Sequence, residues 1–264
     1  MASISLAQGS IGYLERGSTM DGHSPIVFLH GVGSDKSVWL PQLDHFGPNR
    51  RAVAFDYPGY GDSEAREPAG RDGFAAAILE AMDGLGLDRV HLCGLSLGGV
   101  VAIALYHRAP ERSTSLILAD SFARHPDGQA IYDRSVGASK TMTMIELAEA
   151  RASALLGSGA SDDLRGKVIR TMGAIDPAAY RQGADAVWLA DQRARAAAIR
   201  TPTLVMCGDQ DEITPPALSA ELARLVPGAE LELVAGAGHL ANLEQPGEFN
   251  SIVEKFISKV EENS

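Results

Sequence analysis

A serine set among glycines interrupts an apolar stretch at residues 94–98, which read Gly-Leu-Ser-Leu-Gly. An apolar run at residues 90–93 precedes it, and a helical pattern of apolar residues continues to Arg108. This G-x-S-x-G pattern between strand and helix predicts a sharp turn that presents the Ser96 hydroxyl at the carboxyl end of a sheet. We therefore predict Ser96 as a nucleophile. The alternative is a glycine-rich turn in which the serine is incidental.

A serine hydroxyl is a poor nucleophile by itself, so it needs a base, and the base needs an acid that orients it. Both residue types follow Ser96 in the chain, first an acid and then a histidine. This is the order found in hydrolases whose serine lies on such a turn. His239 ends the glycine-rich loop Ala-Gly-Ala-Gly-His, which comes after the last predicted strand. That position puts His239 at the same end of the sheet as Ser96, and we predict it as the general base.

Three acidic residues crowd the loop after the preceding strand: Asp209, Asp211 and Glu212. We predict Asp211 as the acid of the triad, because it lies just past the strand end and before the Thr-Pro-Pro that starts a helix. Asp209 is the alternative; we expect it to cap the turn, and we expect Glu212 to face water.

Acyl transfer also needs donors for the oxyanion. One predicted donor is the backbone N–H of Leu97, directly after the nucleophile, and the other is the N–H of Val32 in the Leu-His-Gly-Val-Gly loop at residues 29–33. His30 is expected to hold this loop by hydrogen bonds.

The other histidines are expected to be exposed in loops (His23, His125), on helices (His45, His107) or on a strand (His91).

The elements that position these residues alternate along the chain. Short apolar runs, typical of strands buried on both faces of a parallel sheet, occur at residues 26–29, 52–55, 90–93, 116–119, 204–207 and 231–234. Helical patterns lie between most of them, at residues 37–46, 71–85, 98–108, 217–225 and 246–260. With an N-terminal hairpin around residues 8–10, the pattern predicts an α/β fold with a mostly parallel eight-stranded sheet.

Residues 124–200 break this rhythm, because helical patterns dominate there and no run resembles a strand. We predict a helical cap inserted between the sixth and seventh strands, with residues 1–123 and 201–264 forming the core domain. The cap holds nine arginines, and a substrate with a carboxylate would need one of them in the pocket. Solvated helix faces are the alternative for each arginine. Trp188, Met142 and Met144 either line the substrate pocket or join the cap to the core.

Composition excludes several partners. The chain has 264 residues, 23 basic and 34 acidic, and its net charge of −11 disfavours nucleic acid and anionic membranes. The start lacks a secretory pattern, so we expect a cytoplasmic protein. Cys93 and Cys207 are expected to be buried thiols. No metal-ligand spacing occurs, so we expect no metal and no cofactor, a small-molecule substrate, and a possible homodimer.

Several motifs together resemble those of the α/β-hydrolase superfamily. They are the His-Gly of the loop at residues 29–33, FDYPGYGDS at 55–63, GLSLGG at 94–99, PTLVMCGDQDEITPP at 202–216 and GAGH at 236–239. GLSLGGVVA and the chain length are similar to those of the 3-oxoadipate enol-lactonase-like group. The resemblance implies the α/β-hydrolase fold and a cofactor-free serine hydrolase with a small helical lid, acting on a small ester or lactone through an acyl-enzyme.

Other activities share this triad and remain alternatives. The FDYPGYGDS stretch is nearer to the D-x-P-G-x-G-x-S of carbon–carbon bond hydrolases, which act on ring-fission diketones, than to the enol-lactonase pattern. Esterases and cofactor-free haloperoxidases also use a serine triad, whereas dehalogenases and epoxide hydrolases carry an aspartate at the position of Ser96. The non-enzymatic alternative is a ligand receptor on the same fold that binds its ligand without turnover.

Overall fold

The computed structural model describes residues 2–20, 23–67 and 70–263. Their eight strands form one sheet in the order β1-β2-β4-β3-β5-β6-β7-β8. Strands β1 and β2 pair antiparallel to each other, β2 pairs antiparallel to β4, and the remaining pairs are parallel. The strands are β1 (Ala2–Ser5), β2 (Ser10–Arg16), β3 (Ile26–Leu29), β4 (Ala52–Phe55), β5 (Val90–Leu95), β6 (Ser113–Ala119), β7 (Thr203–Gly208) and β8 (Glu230–Val234).

This sheet confirms the predicted eight-stranded, mostly parallel α/β architecture. Every residue of β3 to β7 is buried, which explains why these strands read as continuous apolar runs rather than as an alternating pattern. Strand β5 continues two residues further than the apolar run predicts and ends at Leu95, directly before Ser96. The last strand, β8, is at the sheet edge and leaves Leu231 and Leu233 exposed.

Helices flank the sheet. They are α1 (Leu40–Phe46), α2 (Arg71–Gly84), α3 (Leu97–Arg108), α4 (Gly128–Thr141), α5 (Met144–Leu155), α6 (Asp162–Gly173), α7 (Pro177–Trp188), α8 (Arg193–Ala197), α9 (Pro216–Leu225), α10 (Ala241–Glu244) and α11 (Pro246–Glu262). The pattern at residues 37–46 divides into a 3₁₀ turn, Lys36–Trp39, followed by α1. Helix α3 is buried along most of its length, because it starts at the end of the central strand β5 and packs against β3, β5 and β6. None of the helices in these ranges combines the length and the apolar character needed to cross a bilayer.

Helices α4 to α8 all lie between β6 and β7, and we call residues 124–200 the helical segment. It packs on loops that follow the strands of the sheet. Its Met172 lies against Gly33, where an added Cβ would come within 3.3 Å of the sulfur, and the carbonyl of Leu155 accepts a hydrogen bond from the N–H of His239 at 3.1 Å. The helical segment therefore covers the carboxyl ends of the parallel strands.

A buried ion cluster joins the loops after β3 and β4. The Nζ of Lys36 lies 2.5 Å from Asp56 and 2.6 Å from Asp62, and the Asp56 carboxylate also accepts the backbone N–H of Lys36 at 2.8 Å. Burial alone would lower the pKa of Lys36, but Asp56 and Asp62 raise it, so the ammonium keeps its charge. The cluster therefore fixes the loop at residues 29–33 relative to β4.

We expect Lys36→Met to destabilise the fold by about 3–5 kcal/mol, because it leaves the buried Asp56 carboxylate without its counter-ion. Asp62→Asn is the matched control, since the Asp62 side chain is 34% exposed and its charge is partly solvated. Urea unfolding at neutral pH measures both free energies. A Lys36→Met loss no larger than that of Asp62→Asn would contradict the assignment of this cluster as a buried, structure-determining ion pair.

Candidate active site

The turn between β5 and α3 holds Ser96 in a strained conformation, with φ 54° and ψ −112°. Positive φ is uncommon for a residue with a Cβ, and only Ser96 and Asp120 show it among the non-glycine residues described. Close packing of the backbone on both sides of Ser96 holds this conformation. A Cβ on Gly98 would lie 2.1 Å from the carbonyl oxygen of Leu29. A Cβ on Gly94 would lie 2.2 Å from the carbonyl oxygen of Gly98. The glycines of the G-x-S-x-G pattern are thus required by close backbone packing.

The Ser96 side chain is 1% exposed, and its Oγ makes no hydrogen bond within the described residues. It lines a small cavity of about 20 Å³ together with His239 and Val32. The cavity gives a reacting group space beside Ser96. Leu97, the next residue, begins α3, where backbone N–H groups have no acceptor inside the helix and the helix dipole favours negative charge.

His239 is oriented by a hydrogen-bond network around Asp211. The Nδ1 of His239 lies 2.8 Å from the Oδ2 of Asp211 and 3.2 Å from the hydroxyl of Thr214, which itself donates to Asp211 at 2.7 Å. The other carboxylate oxygen accepts the backbone N–H groups of Ile213 and Thr214 at 2.8 and 2.9 Å. The Asp211 carboxylate accepts the hydrogen bond from Nδ1–H, which leaves Nε2 as the basic nitrogen of His239, and His239 lines the same cavity as Ser96.

The network keeps Asp211 ionised. Burial raises the pKa of its carboxyl group, but the proximity of His239 and the hydrogen bonds from His239 and Thr214 outweigh burial and lower the pKa to about 2. Asp120 is affected in the opposite direction, since burial and the charge of Asp211 raise its pKa well above the usual value. Of the two buried carboxyl groups, the one that contacts His239 carries the charge.

The other acids of this loop lie away from His239. Asp209 is exposed and accepts the backbone N–H of Gly236 at 2.8 Å, which is the turn-capping position expected for it. Glu212 is exposed, also as expected. The geometry therefore brings Asp211, rather than Asp209, to the predicted base.

The loop after β3 supplies the second predicted oxyanion donor. Within the described residues, the N–H of Val32 makes no hydrogen bond, and a Cβ on the preceding Gly31 would lie 3.5 Å from the Cβ of Ser96. His30 holds this loop, because its Nδ1 donates to the carbonyl of Gly31 at 2.8 Å and its Nε2 accepts the N–H of Tyr57 at 3.4 Å. Burial lowers the pKa of His30, which favours the neutral ring that this pairing requires.

The histidine loop is also bonded to the helical segment. The carboxylate of Glu244 accepts the N–H of Gly157, which follows α5, at 2.7 Å and the N–H of Gly238, next to His239, at 2.9 Å. The carbonyl of Leu155 accepts the His239 N–H from the same stretch of chain. The C-terminal end of α5 and the loop that carries the predicted base therefore behave as one unit.

Two cavities meet beside Ser96. The small inner cavity lies next to an outer cleft of about 340 Å³ between α4, α5 and the loop after β7. Arg151, Trp188 and Ile213 line both spaces and so form the boundary between them. Trp188 is accordingly placed at the predicted pocket, and Arg151 is the arginine of the helical segment that reaches the inner cavity.

The placement of Met142 and Met144 in the pocket is wrong for this structure, because neither lines the inner cavity or the outer cleft. Met144 is buried at the first turn of α5, on the stripe that continues through Leu147, Arg151 and Leu155. At about 1.5 Å of rise per residue, it lies some 16 Å along the helix from Leu155, which lines the inner cavity. Met142 is half-buried at the end of α4.

The expectation of an exposed His125 is also wrong. His125 is 8% exposed and packs edge-on against Phe122 and Trp188, with ring centroids 5.4 and 5.6 Å apart. The start of the helical segment folds back onto its last long helix, and no local sequence signal marks that contact.

Within the described residues, one group of three side chains could bring metal ligands together: Asp120, Cys207 and Asp211. Both oxygens of Asp211 already accept hydrogen bonds. Burial and neighbouring carboxylates raise the pKa values of Asp120 and of the Cys207 thiol, which favours their protonated, non-ligating forms. The donor set fits a hydrogen-bonded acid better than a metal site. Cys93 and Cys207 are both buried free thiols, as expected.

Sequence reasoning missed several residues that contribute to the site. The Thr-Pro-Pro pattern marks Thr214 only as part of a helix start, although its position three residues after Asp211 is the spacing of a local side-chain-to-backbone turn. Glu244 carries no local signal, because its partners are backbone groups from the helical segment and the histidine loop. Arg151 was one of nine arginines that the sequence could not rank.

Comparisons with known proteins identify the family of the chain. The model of the alpha/beta hydrolase family matches residues 26–252. The chain is 27% identical over 238 residues to 3-oxoadipate enol-lactonase 1 of Acinetobacter baylyi, covering 89% of each chain. It is 29% identical over 258 residues to a pimeloyl-[acyl-carrier protein] methyl ester esterase of Neisseria meningitidis, covering 93% of this chain and 80% of the relative.

Among solved structures, the enol-lactonase from Burkholderia xenovorans LB400 superimposes with a TM-score of 0.90 at 26% identity, covering 97% of this chain and 100% of that one. The match extends over the sheet, the flanking helices and the helical segment together. The resemblance seen in the motifs is thereby confirmed, and the chain is an enzyme of the alpha/beta hydrolase family.

Proposed function

We propose that this hydrolase cleaves small carboxylic esters or lactones through an acyl-enzyme, with Ser96 as nucleophile, His239 as general base and Asp211 as the acid that orients His239. The observation that carries the proposal is the 2.8 Å contact between Asp211 and His239 Nδ1, which leaves Nε2 as the free nitrogen of a histidine that lines the same cavity as Ser96.

The proposed reaction follows from these positions. As the Ser96 Oγ attacks the ester carbonyl, its proton passes to Nε2 of His239, and the charge of Asp211 stabilises the imidazolium. The N–H groups of Leu97 and Val32 stabilise the oxyanion. The imidazolium then protonates the leaving alcohol, and water, activated by the same histidine, releases the acid from Ser96.

Two relatives support the choice of bond. A 3-oxoadipate enol-lactonase and a pimeloyl-[acyl-carrier protein] methyl ester esterase are named for cleaving a cyclic and a linear carboxylic ester, respectively. Both names indicate a carboxylic ester bond, and the small inner cavity favours a small reacting group. The larger part of a substrate would occupy the outer cleft.

We propose in addition that residues 124–200 act as a lid. The inner cavity of about 20 Å³ has room for about one water molecule, so the helical segment must shift before a substrate carbonyl can reach Ser96. Hydrogen bonds join Glu244 and Leu155 to the histidine loop at one end of α5, so we expect the movement in α4 and in the N-terminal part of α5.

A panel of substrates tests the proposed activity. We expect turnover of short p-nitrophenyl esters and of five- or six-membered lactones, unaffected by EDTA, and loss of about 10⁶ in rate in Ser96→Ala. Circular dichroism checks that the variant keeps its fold. A purified enzyme that ignores every ester and lactone but cleaves a ring-fission diketone would replace this proposal with carbon–carbon bond hydrolysis. A Ser96→Ala variant that kept a tenth of the activity would remove Ser96 as the nucleophile.

The identity of the acid is tested by a matched pair of variants. We expect Asp211→Asn to lower kcat by roughly 10⁴, because the amide stabilises the wrong tautomer of His239. Asp209→Asn is the control and should retain most of the activity, since Asp209 is exposed and its carboxylate, within the described residues, accepts only the N–H of Gly236. Steady-state kinetics on one activated ester decides between them; a mild Asp211→Asn with a severe Asp209→Asn would reverse the assignment.

Acid stability gives an independent test of the ionised Asp211. Its pKa of about 2 in the fold lies below the roughly 3.9 of an unfolded chain. Its charge therefore stabilises the fold fully above pH ~4, and this contribution is lost as the pH falls towards 2. Urea unfolding should show the free-energy gap between wild type and Asp211→Asn narrowing over that window. A gap that is constant or widens on acidification would show that Asp211 is not held as a carboxylate.

A further inference from the structure

A third space borders the inner cavity through a wall of its own. This side cavity, of about 10 Å³, lies between α6, the loop after β3 and α10. It shares four lining residues with the inner cavity: Gly33, Ser34, Val168 and Leu240. None of these four lines the outer cleft. The inner cavity therefore adjoins the side cavity and the outer cleft through different walls.

The side cavity leads towards the surface at Thr171. This residue of α6 is half-buried, and it lines both the side cavity and an open groove of about 500 Å³. The groove is also lined by four charged residues: Asp35, Lys36, Asp62 and Asp176. Charged side chains attract water strongly, so the groove is well hydrated where it meets Thr171.

The size of the side cavity suits water and little else. A water molecule needs roughly 10–15 Å³ of such space. The side cavity has about 10 Å³ and the inner cavity about 20 Å³, whereas the outer cleft has about 340 Å³. A substrate or an alcohol can therefore enter only from the outer cleft, while a single water molecule can also pass beneath α6.

Two hydroxyl groups line this narrow route. Ser34 is 4% exposed and lines both the inner and the side cavity, and Thr171 lines the outer end of the side cavity. Within the described residues, neither hydroxyl makes a hydrogen bond with the protein. Each can both donate to and accept from a water molecule, so the route has a polar group at each end.

The second step of the proposed reaction needs a water molecule at the acyl carbonyl. At that stage the acyl group is bonded to Ser96, and its larger part extends into the outer cleft. Water from the outer cleft has to pass the acyl chain and the helical segment. Water that arrives beneath α6 meets neither obstacle.

We propose that the water that hydrolyses the acyl-enzyme enters from the groove, past Thr171 and Ser34, while the substrate enters from the outer cleft. The inference rests on the proposed ester or lactone hydrolysis. His239 takes a proton from this water as its oxygen bonds to the acyl carbon. The bond from that carbon to the Ser96 Oγ then breaks, the imidazolium returns the proton to Oγ, and the acid leaves. A packing defect beneath α6 that carries no water is the opposing account.

A competition between water and an alcohol for the acyl-enzyme tests this route. With p-nitrophenyl butanoate and added 1-propanol, hydrolysis gives butanoic acid and alcoholysis gives propyl butanoate, and gas chromatography measures both. The alcohol is too large for the side cavity and has to use the outer cleft. The ratio of the two products therefore reports the supply of water, and any loss of activity that both reactions share cancels.

Three variants separate the two entrances. Thr171→Phe narrows the outer end of the side cavity, Thr171→Val keeps its width, and Ile131→Phe narrows the outer cleft. We expect the ratio of alcoholysis to hydrolysis to rise roughly 10-fold in Thr171→Phe and by less in Thr171→Val. The rate of the p-nitrophenol burst should not change in either, because acylation needs no water. Ile131→Phe should instead slow the burst and lower the ratio.

A reversible block covers the case in which Thr171→Phe does not fold. In Thr171→Cys, methyl and benzyl methanethiosulfonates convert the introduced thiol to a mixed disulfide with release of a sulfinate, and mass spectrometry confirms a single addition. Cys93 and Cys207 are buried and should not react. The benzyl group should raise the ratio more than the methyl group, and reduction with a phosphine should restore the ratio of the unmodified variant.

The outcomes separate the two proposals. If wild type hydrolyses esters but neither Thr171→Phe nor the benzyl group raises the ratio, or Thr171→Val raises it equally, the route past Thr171 is overturned while ester hydrolysis stands. If no ester gives a p-nitrophenol burst and no acyl-enzyme forms, ester hydrolysis fails and the water route fails with it. A ratio that rises with the size of the group at position 171 supports both.

Discussion

The strained backbone at Ser96 is the constraint on which the rest of this structure depends. A residue with a Cβ at φ 54° costs on the order of 1–3 kcal/mol, and it persists only where the surroundings permit no other conformation. Here the carbonyls of Leu29 and Gly98 pack where Cβ atoms of Gly98 and Gly94 would lie, and the Ser121 hydroxyl donates to the Ser96 carbonyl at 2.9 Å. The packing of the sheet thus offsets the strain that holds the Ser96 hydroxyl at the end of β5.

Two buried carboxyl groups near Ser96 differ in ionisation because their surroundings differ. Asp120 and Asp211 are both buried after neighbouring strands, β6 and β7, and the charge of Asp211 raises the cost of ionising Asp120. Asp211 receives hydrogen bonds from Thr214, Ile213 and His239, whereas Asp120 receives the N–H of Gly208 and leaves its second oxygen unpaired within the described residues. The proximity of His239 and the hydrogen bonds from His239 and Thr214 keep Asp211 ionised, and this charge orients His239.

The sequence predicts those site residues whose positions depend on the local backbone. Ser96 and His239 lie on glycine-rich turns at the ends of strands. The end of a strand determines where a residue lies in a parallel sheet, and Asp211 is predicted correctly for the same reason. Residues that depend on how helices pack could not be found this way. Arg151 and Met144 share one stripe of α5, yet only Arg151 lines the cavities, because the position of α5 over the sheet is set by contacts with the histidine loop. His125 is buried by Trp188, 63 positions later in the chain by numbering.

The central claim, that Ser96 attacks the substrate and carries its acyl group, is tested most directly by trapping the covalent intermediate. The enzyme is mixed with a p-nitrophenyl ester, quenched in acid within milliseconds, digested and analysed by mass spectrometry. The account predicts a burst of p-nitrophenol approaching one equivalent per site and an acyl mass on the peptide that contains Ser96. Turnover without any adduct, or an acyl group on a different residue, would contradict it.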